Sequence, residues 1–496
     1  MNQAASVAAS LAPEHRKKLA IKVLAKNESI TNLALKEQVS RKFLYQQKQK
    51  VTEALDYAFT PINKNEDVLF YLPITKTWLH QLILALILIC HSSYRGVQEL
   101  LRDLFDYQIS LGSIHNLVYS NAEIAKNINE KQDLSSIKIG LHDEIFQGGQ
   151  PVLTGIDNFS TYCYLLTIAE HRDEDNWGYC LLNLTEKQGL KPERTIADAA
   201  KGLRAGQSAV WPDIPCNGDI FHIKRQYQKM LLSVEKLGIK AIRFREKIEE
   251  KITKINRKHH DFKELCEKLI SALKKEEVAL QLYDELQILI DWLSNDVLAL
   301  GGVDYNQRLE LYDFIVEELK LREQLCAHRI RPVRTALENQ REDLLAFAQI
   351  LDQKLAEIAR NFEVTLDVVR EILSLKKISR SSLSYWELYN QFYQKLGSKF
   401  YFLVEAITQA MKDTPRASSM VENLNSRLRN YFFLRKELGQ EYLDLLRFFL
   451  NHRTFMRSEH PERVSKSPTE LLTGKKHPHW LELLGFERFK KSEIAA

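Results

Sequence analysis

Three acidic residues are the side chains of this sequence best suited to chemistry. Asp143 interrupts the apolar stretch IGLHDEIFQ, Asp198 ends the short segment TIAD, and Glu422 lies in SSMVENLNSRLR. A charge inside an apolar strand costs free energy unless it has a function or lies at an edge. Carboxylates that converge from different elements can hold two divalent ions about 3.5–4 Å apart, and such ions catalyse phosphoryl transfer. The three acids therefore indicate a metal-dependent reaction at a phosphodiester.

The interpretation depends on the three acids together with their surrounding segments, because a single acid is more often a solvated surface charge. Asp157, in TGIDNFST, is the alternative to Asp143 as the first of the three metal-binding acids, and Asp143 is favoured.

Polar residues near two of the acids are suited to holding DNA. Helical spacing puts Asn425 and Arg429 on the face of Glu422, where an amide and a guanidinium suit a phosphodiester. Lys201 and Arg204 follow the second acid within two helical turns. They are predicted to contact a phosphate, and a solvent-facing role fits the same spacing.

The elements that must position these residues change along the chain. Alternating apolar residues from position 137, broken by Gly148-Gly149, predict a meander of strands. Thr195–Ala197 is predicted to be a short strand that ends at Asp198, and Gly218–His222 another strand and its exit. Strands that alternate with helices indicate an α/β sheet. Residues 224–411 are rich in Glu, Lys, Leu and Ile, which predicts a long helical hairpin or bundle.

The N-terminal segment is basic and helical in pattern. From Glu14 to Lys50, ten basic side chains face three acidic ones, whereas the whole chain carries a net charge of only +5. Ser40 is a good N-cap for a helix that starts at Arg41, and a helix, a short turn and a polar second helix are typical of a helix-turn-helix. The residues of that second helix predicted to contact DNA are Arg41, Lys42, Tyr45 and Gln46.

A second segment repeats this pattern. Ser93 is the expected cap of one helix, and after a break Ser110 precedes another that starts near Leu111. Two such units in succession predict tandem helix-turn-helix modules that recognise a long DNA site.

Composition limits the class of protein. A chain of 496 residues, 45% hydrophobic and 27% charged, is long enough for several packed cores. Its six cysteines are scattered without a CxxC pair, which fits a reducing cytosol. Because the N-terminus lacks a signal-peptide pattern and the most apolar stretch, 82–90, is far below the ~20 residues of a membrane span, we expect a cytoplasmic, nucleoid-associated protein without a membrane partner. No GxxxxGK[ST] or GxSxG motif is present.

Four segments together resemble bacterial insertion-sequence transposases of the DDE superfamily, whose catalytic core has the RNase H-like fold shared with retroviral integrases. They are IGLHDEIFQGGQPVLTGIDNFSTYCYLL, TIADAAKGLRAGQSAVWPDIPCNGDIFHIKR, RASSMVENLNSRLRNYFFLRKELGQEYLDLLRFFLNHRTF and KSPTELLTG.

The resemblance implies a catalytic triad of Asp143, Asp198 and Glu422 that binds two Mg²⁺ or Mn²⁺ ions. Asp157 then corresponds to an aspartate of the second strand that is not a metal ligand. Asp219 and His222 resemble a recurring accessory feature that orients the site or contacts DNA; a strand-exit cap and a packed histidine would fit equally. Some members carry a helical insertion before the glutamate helix, which matches the helical block here.

The implied protein binds the terminal inverted repeats of a mobile element, cleaves the DNA ends and joins the 3′-OH ends to target DNA, as a homodimer or higher oligomer. The alternatives are a non-catalytic DNA-binding regulator derived from a transposase and a structure-specific nuclease on the same fold. The predicted fold class is multidomain, with tandem helix-turn-helix modules and an RNase H-like mixed α/β core interrupted by an all-helical insertion. The predicted domains are 1–60 and 61–132 (DNA-binding), 133–225 (core, first part), 226–410 (insertion) and 411–496 (core, second part, with the tail).

Overall fold

The computed structural model describes residues 11–59, 72–255, 261–435, 437 and 439–489. The chain divides into two compact units, one formed by residues 1–74 with 491–496 and one by residues 75–490. The predicted boundary between residues 60 and 61 lies outside the described residues, and the five-domain division stays a prediction. Among the described helices, none combines the length and apolar character needed to cross a membrane.

The first unit is helical. Its helices are α1 (Pro13–Leu24), α2 (Ile30–Lys36) and α3 (Arg41–Phe59). The hydroxyl of Ser40 accepts a hydrogen bond from the backbone N–H of Phe43 at 3.1 Å, so the predicted cap and helix start are confirmed. The three helices enclose a small core around Leu19, Leu33 and Leu44.

Three further helices open the second unit. They are α4 (Lys76–Leu88), α5 (Tyr94–Phe105) and α6 (Leu111–Glu130). Ser93 and Ser110 cap α5 and α6 by accepting hydrogen bonds from the N–H groups of Gly96 and Ser113, as predicted. The helical N-terminal region is therefore confirmed.

A mixed five-stranded sheet forms the core of the second unit. Its strands are β1 (Ile139–Gln147), β2 (Gln150–Asp157), β3 (Cys163–Ile168), β4 (Arg194–Ala197) and β5 (Cys216–Gly218), and its flanking helices are α7 (Glu174–Gln188) and α8 (Lys201–Val210). The first three strands form the predicted antiparallel meander, whereas β4 pairs parallel to β1 and β5 parallel to β4. The strand order β3-β2-β1-β4-β5 is consistent with an RNase H-like core.

The predicted strand over Gly218–His222 is wrong. The strand ends at Gly218, and a long helix, α9 (Ile220–Lys254), starts two residues later. The reason is local, because the carboxylate of Asp219 accepts a hydrogen bond from the N–H of Phe221 at 2.8 Å and so caps the helix.

Both faces of the sheet are buried, which gives β1 two chemically different sides. Ile139, Leu141 and Ile145 pack in one apolar cluster with residues of the helices that follow the insertion. The alternate residue His142 points to the other side, where its ring lies 5.6 Å from that of Trp177. Because Asp143 falls between Leu141 and Ile145 at period two, it belongs to the first side.

The remaining helices comprise the insertion and the C-terminal part of the core. The helices of the insertion are α10 (Phe262–Trp292), α11 (Tyr305–Asn339), α12 (Arg341–Asn361), α13 (Leu366–Ser374), α14 (Leu383–Leu396) and α15 (Lys399–Lys412), together with most of α9. After the insertion come α16 (Ser419–Phe433), α17 (Gln440–His452), α18 (Pro468–Thr473) and α19 (Trp480–Leu483). The predicted helical interruption of an α/β core is therefore confirmed.

Helix α17 covers the free edge of β3 with polar side chains. The amide of Asn451 bonds to both the N–H and the carbonyl of Cys163, at 2.8 Å each. At the start of the same helix, the side-chain oxygen of Gln440 accepts the N–H of Ile168 at 3.1 Å. An unpaired strand edge is a template for pairing with other chains, and these side chains occupy it.

Close packing between α7 and α8 depends on glycines. A Cβ atom on Gly206 would lie 2.7 Å from the carbonyl oxygen of Glu174 and from the N atom of Gly178. Such a contact cannot form without moving one helix. Since α8 begins three residues after Asp198, this packing also sets the position of that acid.

We expect Gly206→Ala to lower the free energy of unfolding by about 1–3 kcal/mol, because the methyl group overpacks a backbone contact. Gly112→Ala is the matched control, since its Cβ would meet only the hydroxyl of Ser110 at 3.7 Å and helix propensity favours alanine. Urea unfolding monitored by circular dichroism measures both. Equal stability of the two variants would contradict the proposed close approach.

Candidate metal centre

Asp143 lies midway along β1 and is held from two sides. One carboxylate oxygen accepts the backbone N–H of Glu144 at 2.8 Å, and the other accepts the side-chain amide of Asn425 at 2.6 Å. Asn425 belongs to α16, so the glutamate helix and the central strand are joined directly at this acid.

Asp198 meets Asp143 because of strand register. The parallel pairing places Leu141 opposite Ile196. Asp143 lies two residues further along β1, and Asp198 lies two residues after Ile196, directly past the end of β4. The carboxylate of Asp198 accepts the N–H of Ala200 at 2.9 Å in the turn before α8.

His222 reaches the same place from the first turn of α9. Its Nδ1 atom lies 2.6 Å from a carboxylate oxygen of Asp219, which leaves Nε2 free to face the acids. Asp219 also accepts hydrogen bonds from the N–H of Ser418, at 3.0 Å, and from its hydroxyl. Asp219 therefore fixes the histidine and the start of α16 together.

One ligand atom from each of Asp143, Asp198 and His222 lies within 4.8 Å of the other two, a grouping that could hold a metal ion. Glu422 adjoins this group, since its carboxylate lies 3.3 Å from Nε2 of His222. The three predicted acids thus converge, but the nearest neighbours are two aspartates and a histidine, and Glu422 stands next to the histidine.

Burial and neighbouring charges shift the pKa values of the cluster. Burial raises the pKa of Asp143 to about 7, and the charges of Glu422 and Asp198 act in the same direction. Burial alone would lower the pKa of His222, but its hydrogen bond to Asp219 and the surrounding carboxylates raise it to about 9. In the absence of a metal ion, the His222 imidazolium therefore offsets the charge of the acids, and it must lose its Nε2 proton before that atom can bind a metal ion.

The donor set fits a divalent ion. Carboxylate oxygens are the ligands that Mg²⁺ and Mn²⁺ prefer, whereas an imidazole is a common ligand of Zn²⁺ and iron. The buried Oδ1 atom of Asn425, beside Asp143, has no hydrogen-bond partner among the described residues. Asp143, Asp198 and Glu422 could hold the ion, with His222 as a further ligand or as the neighbour that orients Glu422.

Asp157, the alternative to Asp143 as the first metal-binding acid, lies outside the metal-binding group. It is at the end of β2, paired with Gly140, and its carboxylate accepts the N–H and hydroxyl of Ser160 at 2.7 and 2.6 Å. Burial raises its pKa, and these hydrogen bonds oppose the rise. Asp157 caps a tight turn and does not join the metal-binding group.

The residues predicted to contact DNA fall into two sets. Arg41, Lys42, Tyr45 and Gln46 lie on α3, in the first unit, where all four are exposed. In the second unit, Lys201 and Arg429 are exposed. Asn425 is buried against Asp143. Arg204 forms an ion pair with Asp343 of the insertion. Their roles toward DNA stay predictions.

Sequence reasoning missed the part played by Ser418, whose backbone N–H and hydroxyl both donate to Asp219. It also left His222 undecided, because Asp219 and His222 were assigned to a strand. Their spacing of three residues was the available signal, since an i, i+3 pair lies on one face of a helix.

Comparison of the chain with models of protein families and with the sequences of curated proteins finds no match to either.

We expect Asp143→Asn to raise the free energy of unfolding by roughly 1–4 kcal/mol at pH 8 in EDTA. The folded-state pKa of Asp143 is above its unfolded value, so ionisation above pH 7 opposes folding, and the amide removes that charge. Thermal denaturation with EDTA, Mg²⁺ or Mn²⁺ measures the effect. A bound ion should raise the unfolding temperature of the unmodified protein but not that of the variant.

The control is Asp157→Asn, which changes a buried carboxylate outside the cluster and should keep the full response to the ion. A response that persists in Asp143→Asn would exclude Asp143 as a ligand.

Proposed function

We propose that this chain is a DDE-type DNA transposase, a metal-dependent enzyme that cleaves the ends of a mobile element and joins them to target DNA. The observation that carries the proposal is the convergence of Asp143, Asp198 and His222 within 4.8 Å, on a sheet with the strand order of an RNase H-like core. The proximity of Glu422 to His222 supports the assignment of the third acid.

In this proposal, Asp143, Asp198 and Glu422 bind two Mg²⁺ or Mn²⁺ ions. When bound, the ions activate the attacking hydroxyl and stabilise the leaving oxygen. Asn425 keeps the carboxylate of Asp143 oriented through its amide. Asp219 is a positioning residue, because it holds His222 against Glu422.

Recognition of the DNA is assigned to other parts of the chain. The exposed face of α3, with Arg41 and Lys42, would bind the terminal inverted repeats, since basic side chains on a second helix can reach phosphates and base edges. Lys201 and Arg429 would contact the phosphodiester near the metal centre. Pairing two ends requires at least two copies of the chain, which is why a homodimer or higher oligomer belongs to the proposal.

The deciding experiment is a cleavage and strand-transfer assay with the full chain and duplexes that carry the sequences flanking its own reading frame. We expect Mg²⁺- or Mn²⁺-dependent nicking and joining by the unmodified protein. In Glu422→Gln and Asp143→Asn the rate should fall by about 100-fold or more, because the transition-state stabilisation supplied by the ions is several kcal/mol.

Asp157→Asn is the matched control and should retain activity. Binding of these duplexes is measured in parallel, so that loss of chemistry is separated from loss of recognition. Binding without cleavage by the unmodified protein would favour a regulator, and cleavage without joining would favour a nuclease. Cleavage that survives Glu422→Gln would overturn the proposed triad.

A further inference from the structure

Three arginines surround Tyr431 on the side of α16 away from the metal centre. Arg427 and Arg435 are four residues before and after Tyr431, and Arg453 directly follows α17. Arg427 lies one helical turn before Tyr431 on the same face of α16, and Arg435 donates to the Tyr431 carbonyl at 3.4 Å. Burial raises the pKa of the Tyr431 hydroxyl, and the charges of all three arginines oppose this rise. We call Arg427, Arg435 and Arg453 the arginine cluster.

The arginine cluster has no negative partner among the described residues. Arg427 makes no side-chain hydrogen bond or ion pair there, and the guanidinium of Arg453 lies over the ring of Phe449 at 5.7 Å. The guanidinium of Arg435 lies 3.8 Å from the ring centre of Tyr442, hydrogen-bonds the side chain of Tyr94 and donates to the carbonyl of Tyr431 at 3.4 Å, so none of its partners is an acid. Its buried Nη2 atom has no partner in the described part of the chain.

Arginines of the insertion, in contrast, form ion pairs with glutamates. Arg245 pairs with Glu249 and Glu276 at 2.6 Å each, and Arg334 lies 2.6 Å from Glu323. Nearby acids therefore neutralise these arginines of the insertion, whereas the arginine cluster has no such acids among the described residues.

His91 completes the arrangement. Its ring stacks on Tyr431 with 4.1 Å between ring centres, and its buried Nδ1 atom has no partner in the described residues. Burial lowers the pKa of His91, and the charges of Arg453 and Arg427 lower it further. A neutral imidazole beside two guanidinium groups offers hydrogen bonds to an anion without a counter-charge of its own.

Holding like charges together in a partly desolvated place costs free energy unless an anion compensates them. Burial lowers the pKa of Arg427, and the nearby charge of Arg453 lowers it further, which is the cost of this placement. A ligand with negative charge would recover that cost on binding.

We propose that the arginine cluster and His91 bind phosphodiester groups of a DNA strand, at a site separate from the metal centre. The inference rests on the proposed function and deepens it, because it assigns a second DNA contact to the core. Arg427 is five residues after Glu422, which turns it about 140° round the helix axis. The strand held there is therefore a different stretch of DNA from the one at the metal ions.

Two features favour a DNA strand over a small anion. Arg427 lies six residues before the end of α16, about 9 Å along the helix axis, and Arg435 lies beyond that end. A DNA strand carries one charge per ~3.4 Å of axis, so it can meet arginines spaced in this way. Beyond Arg453 the chain continues with exposed basic residues that would extend the same contact. They are Arg457, Lys466, Lys475 and Lys476.

The test is the salt dependence of binding to a fluorescent 40-base-pair duplex of arbitrary sequence, in EDTA so that no cleavage occurs. For each phosphate that a variant no longer neutralises, the slope of log K against log salt should fall in magnitude by about 0.9. We expect this decrease for Arg453→Gln and a larger one for Arg427→Met with Arg453→Gln. The control is Lys268→Gln, which removes an exposed charge that already faces Glu264, and its slope should not change.

Thermal unfolding separates a ligand site from a structural role. If the cluster is an uncompensated anion site, Arg427→Met keeps or raises the unfolding temperature in the absence of DNA, whereas a structural arginine would lower it. Inorganic phosphate serves as the second probe. If phosphate raises the unfolding temperature of the unmodified protein while the DNA slope is the same in all variants, the site takes a free anion and the proposal is overturned.

The outcome is independent of the catalytic proposal. If the protein cleaves DNA and the salt-dependence slopes of the folded variants do not change, the second DNA site is disproved and the transposase proposal is unaffected. If the slopes decrease in magnitude but the protein shows no metal-dependent cleavage, the second DNA site is supported and the proposed enzymatic activity is disproved.

Discussion

The buried carboxylate of Asp219 holds together the two segments on which the candidate metal centre depends. It caps α9, bonds to His222, and receives both donors of Ser418, a residue 199 positions further along the chain. Burial would raise the pKa of Asp219, but the hydrogen bonds from His222 and Ser418 outweigh it and keep the pKa below its ordinary value. Because ligands must be placed to within a fraction of an ångström, the site requires such a tie between distant segments.

The same tie explains how a long helical insertion fits inside a small sheet domain. The N–H of Ile220, just before the insertion, donates to the carbonyl of Arg416, just after it, at 3.1 Å. The chain therefore leaves the core and returns at nearly the same point, as inserted domains commonly do. The insertion also contacts the core, since Leu344 lies against Gly218 of β5 and Asp343 pairs with Arg204.

Local features were predictable because a few neighbouring residues decide them. The caps at Ser40, Ser93 and Ser110 and the meander broken at Gly148 were confirmed for this reason. The strand assigned to Gly218–His222 was wrong, because a short apolar run has no periodicity that separates a strand from a helix start. The convergence of Asp143 and Asp198 depends on the parallel pairing of the short strand β4 with the first half of β1, so that the end of β4 lies beside the middle of β1.

Other features depend on partners that the sequence does not bring together. The contact between His222 and Glu422 and the pairing of Arg204 with Asp343 join segments separated by much of the insertion. The missing counter-charges of Arg427 are also invisible in the sequence, because acids are abundant along the chain and only the fold decides which arginines they reach. The roles of the predicted site residues toward metal and DNA stay predictions.

The covering of β3 by α17 has a consequence for how the protein is made. Ile168 and its partner Gln440 are separated by 272 residues, so the edge of the sheet leaves the ribosome long before the helix that covers it. At about 5–20 residues per second, this delay is on the order of 10–50 s. During that time the nascent sheet exposes an open strand edge, and the core is complete only when nearly the whole chain has been synthesised.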